Sequence, residues 1–565
     1  MSSKTHRAEI LLQQGNQALL KGNLSSAKAA YKSSLKLNPR QFHAYLNLGA
    51  VLKMEGHFRE AIDTYTKGLV HHPNNARLWN SVGLMHEELG EIEPSRIHYQ
   101  KATALDPENS LWRLHLDSLW PVAMDSNEEI DRHRAELEAS LHRYGESTLK
   151  NSPRASFEEL PAQNARPPFA LAYQNRIDLP IRHRFADVVR STLPPFSVKR
   201  HLGEKPHVGF VVTEGHEGIF VNLMKGMLEN FSFPDLRYSL ICSYPSAQFF
   251  RKVIQNPSID YVIYPHSFAE TLKVIHHARL DLLYFWEIST DPRNYYLPFY
   301  RLAHLQCTSW GFPVTTGMKE VDFFLSTEYL TDEENAGHYS ETLIRLRGLP
   351  CYYYRPNAPS PLKTRKDFGF PDNTHLYLCT QSLFKFHPDF DSILGEILRC
   401  DPAGNLVLLE SPIGYVKNMI LERFRRSIPD VLDRIVFVPR LEKAAYLNLI
   451  ALADVMLDSY SYGGGATSAE GIGLNVPVLT LPSRFCSGLM TLAFYKKIGV
   501  LDCVVSSPDE YVRKAVMLGT DRNYREEIKE KIKEASDALF EDNDSVRALE
   551  EFFLQAISKS RQSLP

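Results

Sequence analysis

A glycine-rich turn in the last quarter of the chain carries the residue types of an anion-binding site. Residues 457–471 are LDSYSYGGGATSAEG, in which an apolar run ends, three glycines follow and a helix-forming segment begins. Glycine lets an anion approach the backbone because it has no Cβ, and free N–H groups at a helix N-terminus attract negative charge. Thr467 and Ser468 add hydroxyl donors. We predict that Gly464, Gly465 and these two hydroxyls contact a phosphate group.

Two side chains that follow buried strands suit electrostatic or proton-transfer chemistry. Lys385 lies in SLFKFH, just past the apolar run HLYLC, where an ammonium can neutralise charge that builds on a phosphate. Gln381 lies one helical turn upstream if this segment curls. His216 follows an earlier strand in VTEGHEGIF, and imidazole is the usual proton carrier at neutral pH. The alternatives are a surface lysine at 385 and a histidine at 216 that only shapes its loop.

The N-terminal part of the chain repeats with a period of 34 residues. Five series of residues keep this spacing: Gly15, Gly49 and Gly83; Gly22, Gly56 and Gly90; Tyr31, Tyr65 and Tyr99; Pro39, Pro73 and Pro107; Ala27, Ala61 and Ser95. The period is typical of tetratricopeptide repeats, which are paired antiparallel helices. We predict an α-helical superhelix over residues 8–120, with three repeats and a degenerate capping helix pair, whose concave face holds a peptide or partner segment.

A connecting region occupies residues 121–205. The segment 126–145 has helical spacing, with Ser126 as N-cap and Glu129 three residues later. A stretch rich in proline, serine and alanine predicts a loop over 151–169, after which helical periodicity returns. We interpret the region as a helical bridge that fixes the repeats to the C-terminal part of the chain. A flexible linker is the alternative.

Two halves with alternating strands and helices make up the rest of the chain. The first, residues 206–355, contains the apolar runs HVGFVVT, RYSLICSY, IDYVIYP, LDLLYFW, LQCTSWG and VDFFLST. The second, residues 370–545, contains HLYLCTQSLF, NLVLLES, IVFVPRL, DVMLDS and VPVLTLP. Such alternation predicts mostly parallel sheets covered on both faces, in which ligands bind at the carboxyl ends of the strands. A C-terminal helix is predicted at 546–565.

Composition excludes several classes of function. The net charge of the 565 residues is −3 and no basic block stands out, which argues against nucleic-acid binding. No apolar window is long enough for a membrane span, and the N-terminal sequence has no apolar signal-peptide core. The 7 cysteines form no CxxC pair and their number is odd, as expected of reduced, mostly buried thiols. We expect a cytoplasmic protein.

Four segments of this chain resemble the O-GlcNAc transferase family, glycosyltransferase family 41. They are HVGFVVTEGHEGIF, LAHLQCTSWGFPVTTGMKEVDFFLST, CTQSLFKFHPDF and RIVFVPRLEKAAYLNLIALADVMLDSYSYGGGATSAEGIGLNVPVLTLPS. They occur in the family's order, after tetratricopeptide repeats, and the similarity covers nearly the whole chain. The resemblance is to bacterial members of the family that have few repeats. The resemblance implies a GT-B fold of two Rossmann-like lobes, with an acceptor side in the first and a UDP-sugar site in the second.

The resemblance also implies roles for individual residues of the second lobe. The diphosphate of a nucleotide sugar would sit at the glycine turn, with Lys385 stabilising the leaving group. Glu470 would accept hydrogen bonds from both ribose hydroxyls. From the segment alone, a solvated acidic residue at a helix start is an equally good interpretation of Glu470. Lys443 and Tyr446 would flank the uracil, where Tyr446 replaces a histidine of better-known members, and the main chain of Leu441 would contact the base edge. Core packing is the alternative for Tyr446.

In the first lobe the resemblance implies a wall for the sugar and the acceptor hydroxyl. Pro313, Thr315, Thr316 and Gly317 in TSWGFPVTTG would form this wall, and an ordinary turn is the alternative. His216 would contact donor or acceptor, although its match to a family histidine requires a gap of one or two residues.

The chain departs from the family at the glycine turn and shows no metal motif. Better-known members carry a histidine and a threonine where this chain has Gly465 and Ala466, so two side-chain donors are missing. The DFD triplet at 389–391 has the form of a metal-binding DxD pair, but its place near a helix start favours an N-terminal helix role for Asp389. We expect no metal and no cofactor, with the UDP-sugar as a substrate.

The sequence therefore favours one function and leaves two alternatives. The favoured function is a metal-independent, inverting glycosyltransferase that transfers a sugar, with GlcNAc preferred, from a UDP-sugar to serine or threonine hydroxyls of proteins. One alternative is a UDP-hexose transferase that acts on another acceptor. The other is a tetratricopeptide scaffold whose decayed catalytic region senses nucleotide sugars.

Overall fold

The computed structural model describes residues 3–144, 155–196, 202–330 and 333–562. It divides into two compact units. Within the described residues, the first unit comprises positions up to 121 together with parts of 139–168 and 188–194, and the second comprises 122–138, 169–187 and the remainder. The predicted loop at 151–169 and the predicted helices at 126–145 and 546–565 lie partly outside the described residues.

Helices paired in the predicted repeats build the first unit. They are α1 Ser3–Leu20, α2 Leu24–Leu37, α3 Phe42–Met54, α4 Phe58–His71, α5 Ala76–Glu88, α6 Ile92–Leu105 and α7 Ser110–Asp117. The repeated glycines allow close helix packing: a Cβ on Gly49 would lie 2.2 Å from the ring of Tyr65. Gly15 meets Tyr31 and Gly83 meets Tyr99 in the same way. The tetratricopeptide prediction is confirmed, and a single helix, α7, stands where a capping pair was predicted to begin.

The bridging region is largely helical. Its elements are α8 Asn127–Arg143, α9 Leu160–Gln163 and α10 Leu179–Thr192, with a 3-10 turn at Phe169–Tyr173. The Glu129 N–H donates to the Ser126 hydroxyl at 3.2 Å, which confirms the predicted N-cap.

The first lobe of the second unit is a parallel sheet of seven strands in the order β3-β2-β1-β4-β5-β6-β7. Its elements are β1 His207–Val211, α11 Glu217–Asn230, β2 Arg237–Cys242, α12 Tyr244–Val253, β3 Ile259–Ile263, α13 Phe268–His277, β4 Leu282–Phe285, α14 Pro292–Tyr296, β5 Leu305–Ser309, β6 Phe323–Thr327 and β7 Thr342–Leu346. Strand β7 was not predicted. It is an edge strand, partly exposed, so it lacks the apolar run of its neighbours.

The second lobe is a parallel sheet of five strands in the order β10-β9-β8-β11-β12. Its elements are β8 His375–Cys379, α15 Pro388–Cys400, β9 Gly404–Leu409, α16 Gly414–Ser427, β10 Ile435–Val438, α17 Lys443–Leu452, β11 Val455–Leu457, α18 Ala466–Gly473, β12 Val478–Leu479, α19 Met490–Ile498, α20 Pro508–Thr520, α21 Arg522–Ala535 and α22 Asn543–Gln562. The predicted fold class, helical repeats before two Rossmann-like lobes, is confirmed.

The strand orders place one topological switch point in each lobe. In the first lobe β1 lies between β2 and β4, and in the second β8 lies between β9 and β11. Chain connections leave in opposite directions from such a central strand, which opens a crevice at the carboxyl ends of the two strands. The loops after β1 and β4, and those after β8 and β11, are therefore the places where each lobe can hold a ligand.

The C-terminal helix α22 returns to the first lobe. Glu550, fully buried on α22, accepts hydrogen bonds from the backbone N–H of Ser232 and of Phe233, each at 2.9 Å, and from the Tyr238 hydroxyl at 2.7 Å. The chain thus crosses back after the second lobe, and this helix is part of the first lobe's packing.

Two predictions from composition concern cysteines and membrane spans. All cysteines are free thiols, and every one except Cys400 is buried, which confirms the thiol prediction. Across the described ranges, the structure contains no helix with the length and apolar character needed to span a bilayer.

Candidate functional site

The glycine turn connects β11 to α18, and its first N–H groups are used within the protein. The Gly464 N–H donates to Asp458 Oδ1 at 2.7 Å, and the Gly463 N–H donates to the Ser487 carbonyl at 2.8 Å. The first helical bond of α18 runs from the Ala469 N–H to the Gly465 carbonyl. N–H groups before that bond have no acceptor within the helix. The candidate anion site is therefore the N-terminus of α18, where these N–H groups lie.

Gln381 joins the glycine turn to the lysine of the neighbouring strand. Its Nε2 donates to Thr467 Oγ1 at 2.7 Å, and its Oε1 accepts from Lys385 Nζ at 3.0 Å. The chain curls through a 3-10 turn at Leu383–Lys385, which brings Gln381 beside the lysine as predicted. The structure thus gathers an ammonium, an amide and a hydroxyl from three sequence positions at the switch point of the second lobe.

Lys385 is partly buried among aromatic and acidic groups. Its Nζ lies 4.6 Å from the centre of the Tyr462 ring, a distance at which a cation is attracted to the ring face. Burial lowers the pKa of Lys385 to about 8, and the nearby carboxylate of Asp458 opposes this shift. The side chain is therefore poised to gain charge stabilisation when an anion binds.

Asp458 supports the loop, and no sequence motif marked it for this role. It is 2% exposed and accepts hydrogen bonds from the Gly464 N–H at 2.7 Å and the Thr480 hydroxyl at 2.9 Å. Burial raises the pKa of this carboxyl group, and these hydrogen bonds act in the opposite direction. The signal in the sequence was a carboxylate that ends an apolar run directly before a glycine turn.

Ser468 does not face the same space as Thr467. Its hydroxyl is 1% exposed and accepts a hydrogen bond from Thr491 Oγ1 at 2.8 Å. Helix α18 turns consecutive side chains by roughly 100°, so Thr467 points toward Gln381 while Ser468 points toward α19. The Ser468 hydroxyl therefore packs against α19, and its predicted phosphate contact stays a prediction.

The two glycines predicted to contact phosphate have different surroundings. A Cβ on Gly464 would lie 2.3 Å from Gln381 Nε2 and 2.4 Å from Ser468 Oγ. A Cβ on Gly465 would meet only Met490 Sδ at 3.7 Å and the Tyr353 hydroxyl at 3.8 Å. Gly464 is therefore required by close packing, whereas the space at position 465 accepts a side chain.

The predicted base and ribose residues surround the start of α17. Lys443 Nζ forms an ion pair with Glu470 of α18, and it lies 5.5 Å from the centre of the Tyr446 ring. Burial, followed by the charge of Glu470, raises the pKa of Tyr446 well above its usual range. Leu441 lies in the loop between β10 and α17. Lys443, Tyr446 and Glu470 therefore adjoin one another between α17 and α18.

His216 lies at the switch point of the first lobe, paired with a carboxylate. It is the N-cap residue of α11, and its Nδ1 lies 2.7 Å from Glu287 Oε2. Glu287 follows β4 and is 3% exposed. The hydrogen bond to Glu287 raises the pKa of His216, against the opposing effect of burial. The glutamate was not predicted, because its pairing joins two segments that lie far apart in the sequence.

The four residues of the predicted wall lie in one turn of the first lobe. Pro313 and Thr315 line a cleft. The Thr315 hydroxyl donates to Glu341 Oε2 at 2.8 Å, and the Thr316 N–H donates to Glu341 Oε1 at 2.7 Å. A Cβ on Gly317 would lie 2.4 Å from the backbone of Arg182. These contacts hold the turn against Glu341 and α10, and the role of the four residues as a wall for the sugar and the acceptor hydroxyl stays a prediction.

The cleft has an empty volume of about 420 Å³, part of it open to solvent. Both lobes and the bridging region contribute to it, and its lining consists of Ala172, Asn175, Arg176, Asp178, Pro313, Val314, Thr315, His338, Tyr339, Phe485, Cys486 and Ser487. All these residues belong to the second unit. The cleft mixes apolar surface with a few polar groups, as ligand pockets do.

The bridging region reaches the loop that carries Tyr462, a contact that no sequence pattern predicted. The Ser461 hydroxyl donates to the Tyr173 carbonyl at 3.0 Å, and the Tyr173 and Tyr462 rings lie 4.8 Å apart. The Asn175 amide donates to the Tyr460 hydroxyl at 3.1 Å. The turn at 169–173 therefore braces the aromatic ring that lies against Lys385.

Carboxylates of the DFD triplet are engaged in structural contacts. Asp391 forms a buried ion pair with Arg423 at 2.7 Å, and exposed Asp389, in the first turn of α15, accepts from Asn127 Nδ2 at 2.7 Å. Within the part of the chain that the structure describes, there is no cluster of three or more histidine, cysteine or acidic side chains suited to a metal ion.

The two Rossmann-like lobes, each a parallel sheet with helices, define a GT-B architecture, and tetratricopeptide repeats precede them. Residues 356–547 match the glycosyl transferase family 41 model, and residues 55–110 match a tetratricopeptide repeat model. The match to family 41 therefore covers the second lobe, and the repeat match covers part of the first unit.

Curated relatives and a solved structure agree with this assignment. The chain is 28% identical over 232 residues to a probable UDP-N-acetylglucosamine–peptide N-acetylglucosaminyltransferase of Arabidopsis thaliana, SEC, covering 39% of this chain and 23% of the relative. It is 26% identical over 244 residues to SPINDLY of Hordeum vulgare, which carries the same probable activity in its name, covering 41% and 25%. The matches thus span about a quarter of the length of these relatives. A mutant form of the Thermobaculum terrenum O-GlcNAc transferase has the same fold, with a TM-score of 0.69 and 17% identity over 100% of this chain and 99% of that one.

Proposed function

We propose that this protein is a metal-independent, inverting glycosyltransferase that moves a sugar from a UDP-sugar to serine or threonine hydroxyls of proteins. The observation that carries the proposal is the hydrogen-bonded series Lys385–Gln381–Thr467 at the N-terminus of α18. It places a cation and polar donors beside the free N–H groups of a helix, which is the environment a leaving diphosphate requires.

The chemistry depends on where negative charge develops. When the acceptor oxygen attacks the anomeric carbon, the bond between that carbon and the phosphate oxygen breaks, and the electron pair leaves with UDP. Lys385 and the α18 dipole stabilise this charge more strongly in the transition state than in the bound substrate, and such differential stabilisation is the source of rate. The same groups serve the purpose that a divalent cation serves in metal-dependent enzymes.

The nucleoside would occupy the space beside α17. Glu470 takes the ribose hydroxyls, Tyr446 stacks on uracil, and the main chain at Leu441 contacts the base edge. The Glu470 carboxylate is paired with Lys443. Lys443 is exposed, so its side chain can move aside at little cost and return as a contact to the nucleotide.

GlcNAc is the proposed sugar, and protein is the proposed acceptor class. The names of the curated relatives, which specify UDP-N-acetylglucosamine and peptide, support this choice. The repeats support a polypeptide acceptor, because tetratricopeptide superhelices typically hold extended segments. A UDP-hexose donor, or an acceptor other than serine or threonine, is the second candidate. The predicted cytoplasmic location stays a prediction.

The sensor alternative is supported by the glycine turn alone. Gly465 and Ala466 lack the side-chain donors that the family resemblance implies, so the diphosphate relies on backbone N–H groups and Lys385. Retention of Lys385, Thr467 and Glu470 supports turnover over sensing, since a sensor has no need for a cation that acts on the leaving group.

Incubation of the full chain with donor sugars and acceptors tests the proposal. The purified protein is given UDP-GlcNAc or UDP-glucose, a library of serine- and threonine-containing peptides, and EDTA, and products are identified by mass spectrometry. We expect a HexNAc mass on serine or threonine, unchanged by EDTA and absent with Lys385→Ala. A hexose product supports the second candidate. Binding of UDP without transfer or UDP release from any donor contradicts the proposed enzyme and supports the sensor.

A further inference from the structure

A histidine–carboxylate pair occupies the switch point of the first lobe. His216 follows β1 and Glu287 follows β4, two strands that lie side by side in register, with Val211 opposite Phe285. The pairing brings His216 Nδ1 to 2.7 Å from Glu287 Oε2. A ligand crevice is expected at this edge of the sheet. The pair therefore stands where substrate is expected, on the lobe opposite Lys385.

The geometry of the pair leaves one ring nitrogen of the imidazole for chemistry. Glu287 is 3% exposed and fixed beneath the ring, whereas the His216 side chain is 37% exposed. A carboxylate that accepts from Nδ1–H fixes the tautomer in which Nε2 carries a lone pair. Such a histidine can accept a proton, and the carboxylate stabilises the imidazolium that forms.

The charge of Glu287 influences aromatic residues that lie beside the lysine of the second lobe. The charge of Glu287 raises the pKa of both the Tyr173 and Tyr462 phenols, in addition to the effect of their burial. Tyr462 in turn lies against Lys385. The pair and Lys385 therefore lie on opposite lobes and share Tyr462 as an electrostatic neighbour. This is expected if one accepts the proton of the attacking hydroxyl and the other stabilises the leaving diphosphate.

We propose that Glu287 is a positioning residue, which orients the His216 imidazole to accept the proton of the acceptor hydroxyl. This inference rests on the proposed function. In the step, the acceptor hydroxyl gives its proton to His216 Nε2 while its oxygen forms a bond to the anomeric carbon. The bond from that carbon to the phosphate oxygen breaks, UDP takes the electron pair, and the imidazolium later returns its proton to solvent.

The charges around His216 determine how the rate depends on pH. Glu287 and Asp291, after β4, and Glu217, on α11, all favour the protonated ring, whereas burial opposes it. The base must be neutral to act, so activity rises with pH through the pKa of His216. Removing the Glu287 charge lowers that pKa and moves the acidic limb of the profile to lower pH.

Glu287→Gln tests the assignment, with Glu217→Gln as the matched control. Glu217 is a neighbouring carboxylate that accepts from the Ser246 hydroxyl at 2.5 Å. For Glu287→Gln we expect kcat for UDP release to fall by at least about tenfold, with KM for the UDP-sugar within about twofold. The His216 ring resonance, assigned with His216→Asn in histidine-labelled protein, should titrate at lower pH than in the wild type. Glu217→Gln should change each quantity much less.

Two results would overturn the assignment of Glu287 as a positioning residue. One is an unchanged acidic limb and an unchanged His216 titration in Glu287→Gln. The other is an equal effect of Glu217→Gln, which would show that general charge, and not the hydrogen bond, is responsible. Calorimetry of UDP with Glu287→Gln separates this failure from that of the proposed function. Normal UDP binding together with wild-type turnover in this variant contradicts only the role of Glu287. A wild-type protein that binds no UDP contradicts the proposed glycosyltransferase.

Discussion

Lys385 Nζ lies 4.6 Å from the centre of the Tyr462 ring and donates to Gln381 Oε1 at 3.0 Å. This relationship links the loop after β8 to the glycine turn after β11, so the cation has a fixed place beside the N-terminus of α18. The ring and the amide replace part of the water that the ammonium loses on burial. They leave it able to respond to charge on a ligand.

Removal of the lysine should cost rate far more than stability. We expect Lys385→Ala to lower kcat by about 10²- to 10³-fold, since the charge acts mainly in the transition state, and to leave the melting temperature within a few degrees. Lys385→Arg, the control, keeps the charge and should retain more activity. UDP release and thermal melts measure the two effects. Parallel losses of rate and stability in Lys385→Ala would show a structural role.

The charge of Asp458 should set the basic limb of the pH profile. Lys385 must be protonated to act, so the rate should fall as pH rises through its pKa of about 8. Asp458→Asn keeps an acceptor for the Gly464 N–H but removes the charge, so the limb should move to lower pH. Thr480→Val removes one hydrogen bond to Asp458 and keeps its charge, and should leave the limb in place. The dependence of kcat/KM on pH measures both, and equal limbs in wild type and Asp458→Asn would contradict the prediction.

Glu470 should account for recognition of the ribose. We expect Glu470→Ala to lower UDP affinity by about 10- to 150-fold, because a hydrogen bond to a charged group contributes about 1.5–3 kcal/mol. The wild type should prefer UDP over 2′-deoxy-UDP, and the variant should lose most of that preference. Lys443→Met, the control, should keep it. Calorimetry with both nucleotides decides the matter, and a preference that survives in Glu470→Ala would place the ribose elsewhere.

The two adjacent glycines should respond differently to a methyl group. Gly464→Ala places a Cβ 2.3 Å from Gln381 Nε2 and should displace that amide from Lys385 and Thr467. We expect a loss of UDP affinity of about tenfold or more, because the phosphate donors lose their arrangement. Gly465→Ala meets only ordinary van der Waals contacts and should lose much less. A similar loss in both variants would show that Gly464 has no special packing role.

The fold was predictable because its signals are local in the sequence. The 34-residue spacing of glycines and tyrosines predicted the helices α1 to α6. The buried parallel strands are short, continuous apolar runs, which differ from the helical pattern around them. Strand β7 escaped notice since it lies at the sheet edge and its side chains are partly exposed. An edge strand pairs with only one neighbouring strand, so it is less buried and needs no continuous apolar run.

Candidate site residues that directly follow strands could be predicted from the sequence. Residues whose contacts join distant elements could not. Lys385 and Thr467 both contact Gln381 because their loops follow the adjacent parallel strands β8 and β11. Asp458 and Glu287 act through partners that are distant in the chain, and no local pattern marks such pairs. The buried contacts of Thr315 and Thr316 with Glu341 were missed for the same reason, because they depend on the packing of the turn.

Calorimetry of UDP binding to the full chain tests the central claim most directly. Wild-type protein should bind UDP and UDP-GlcNAc with measurable heat, Lys385→Ala should bind UDP more weakly, and uridine without phosphates should bind weakly to both. This pattern requires a diphosphate site at the N-terminus of α18. Absence of binding for every uridine nucleotide, or an affinity that does not depend on Lys385, would contradict the account.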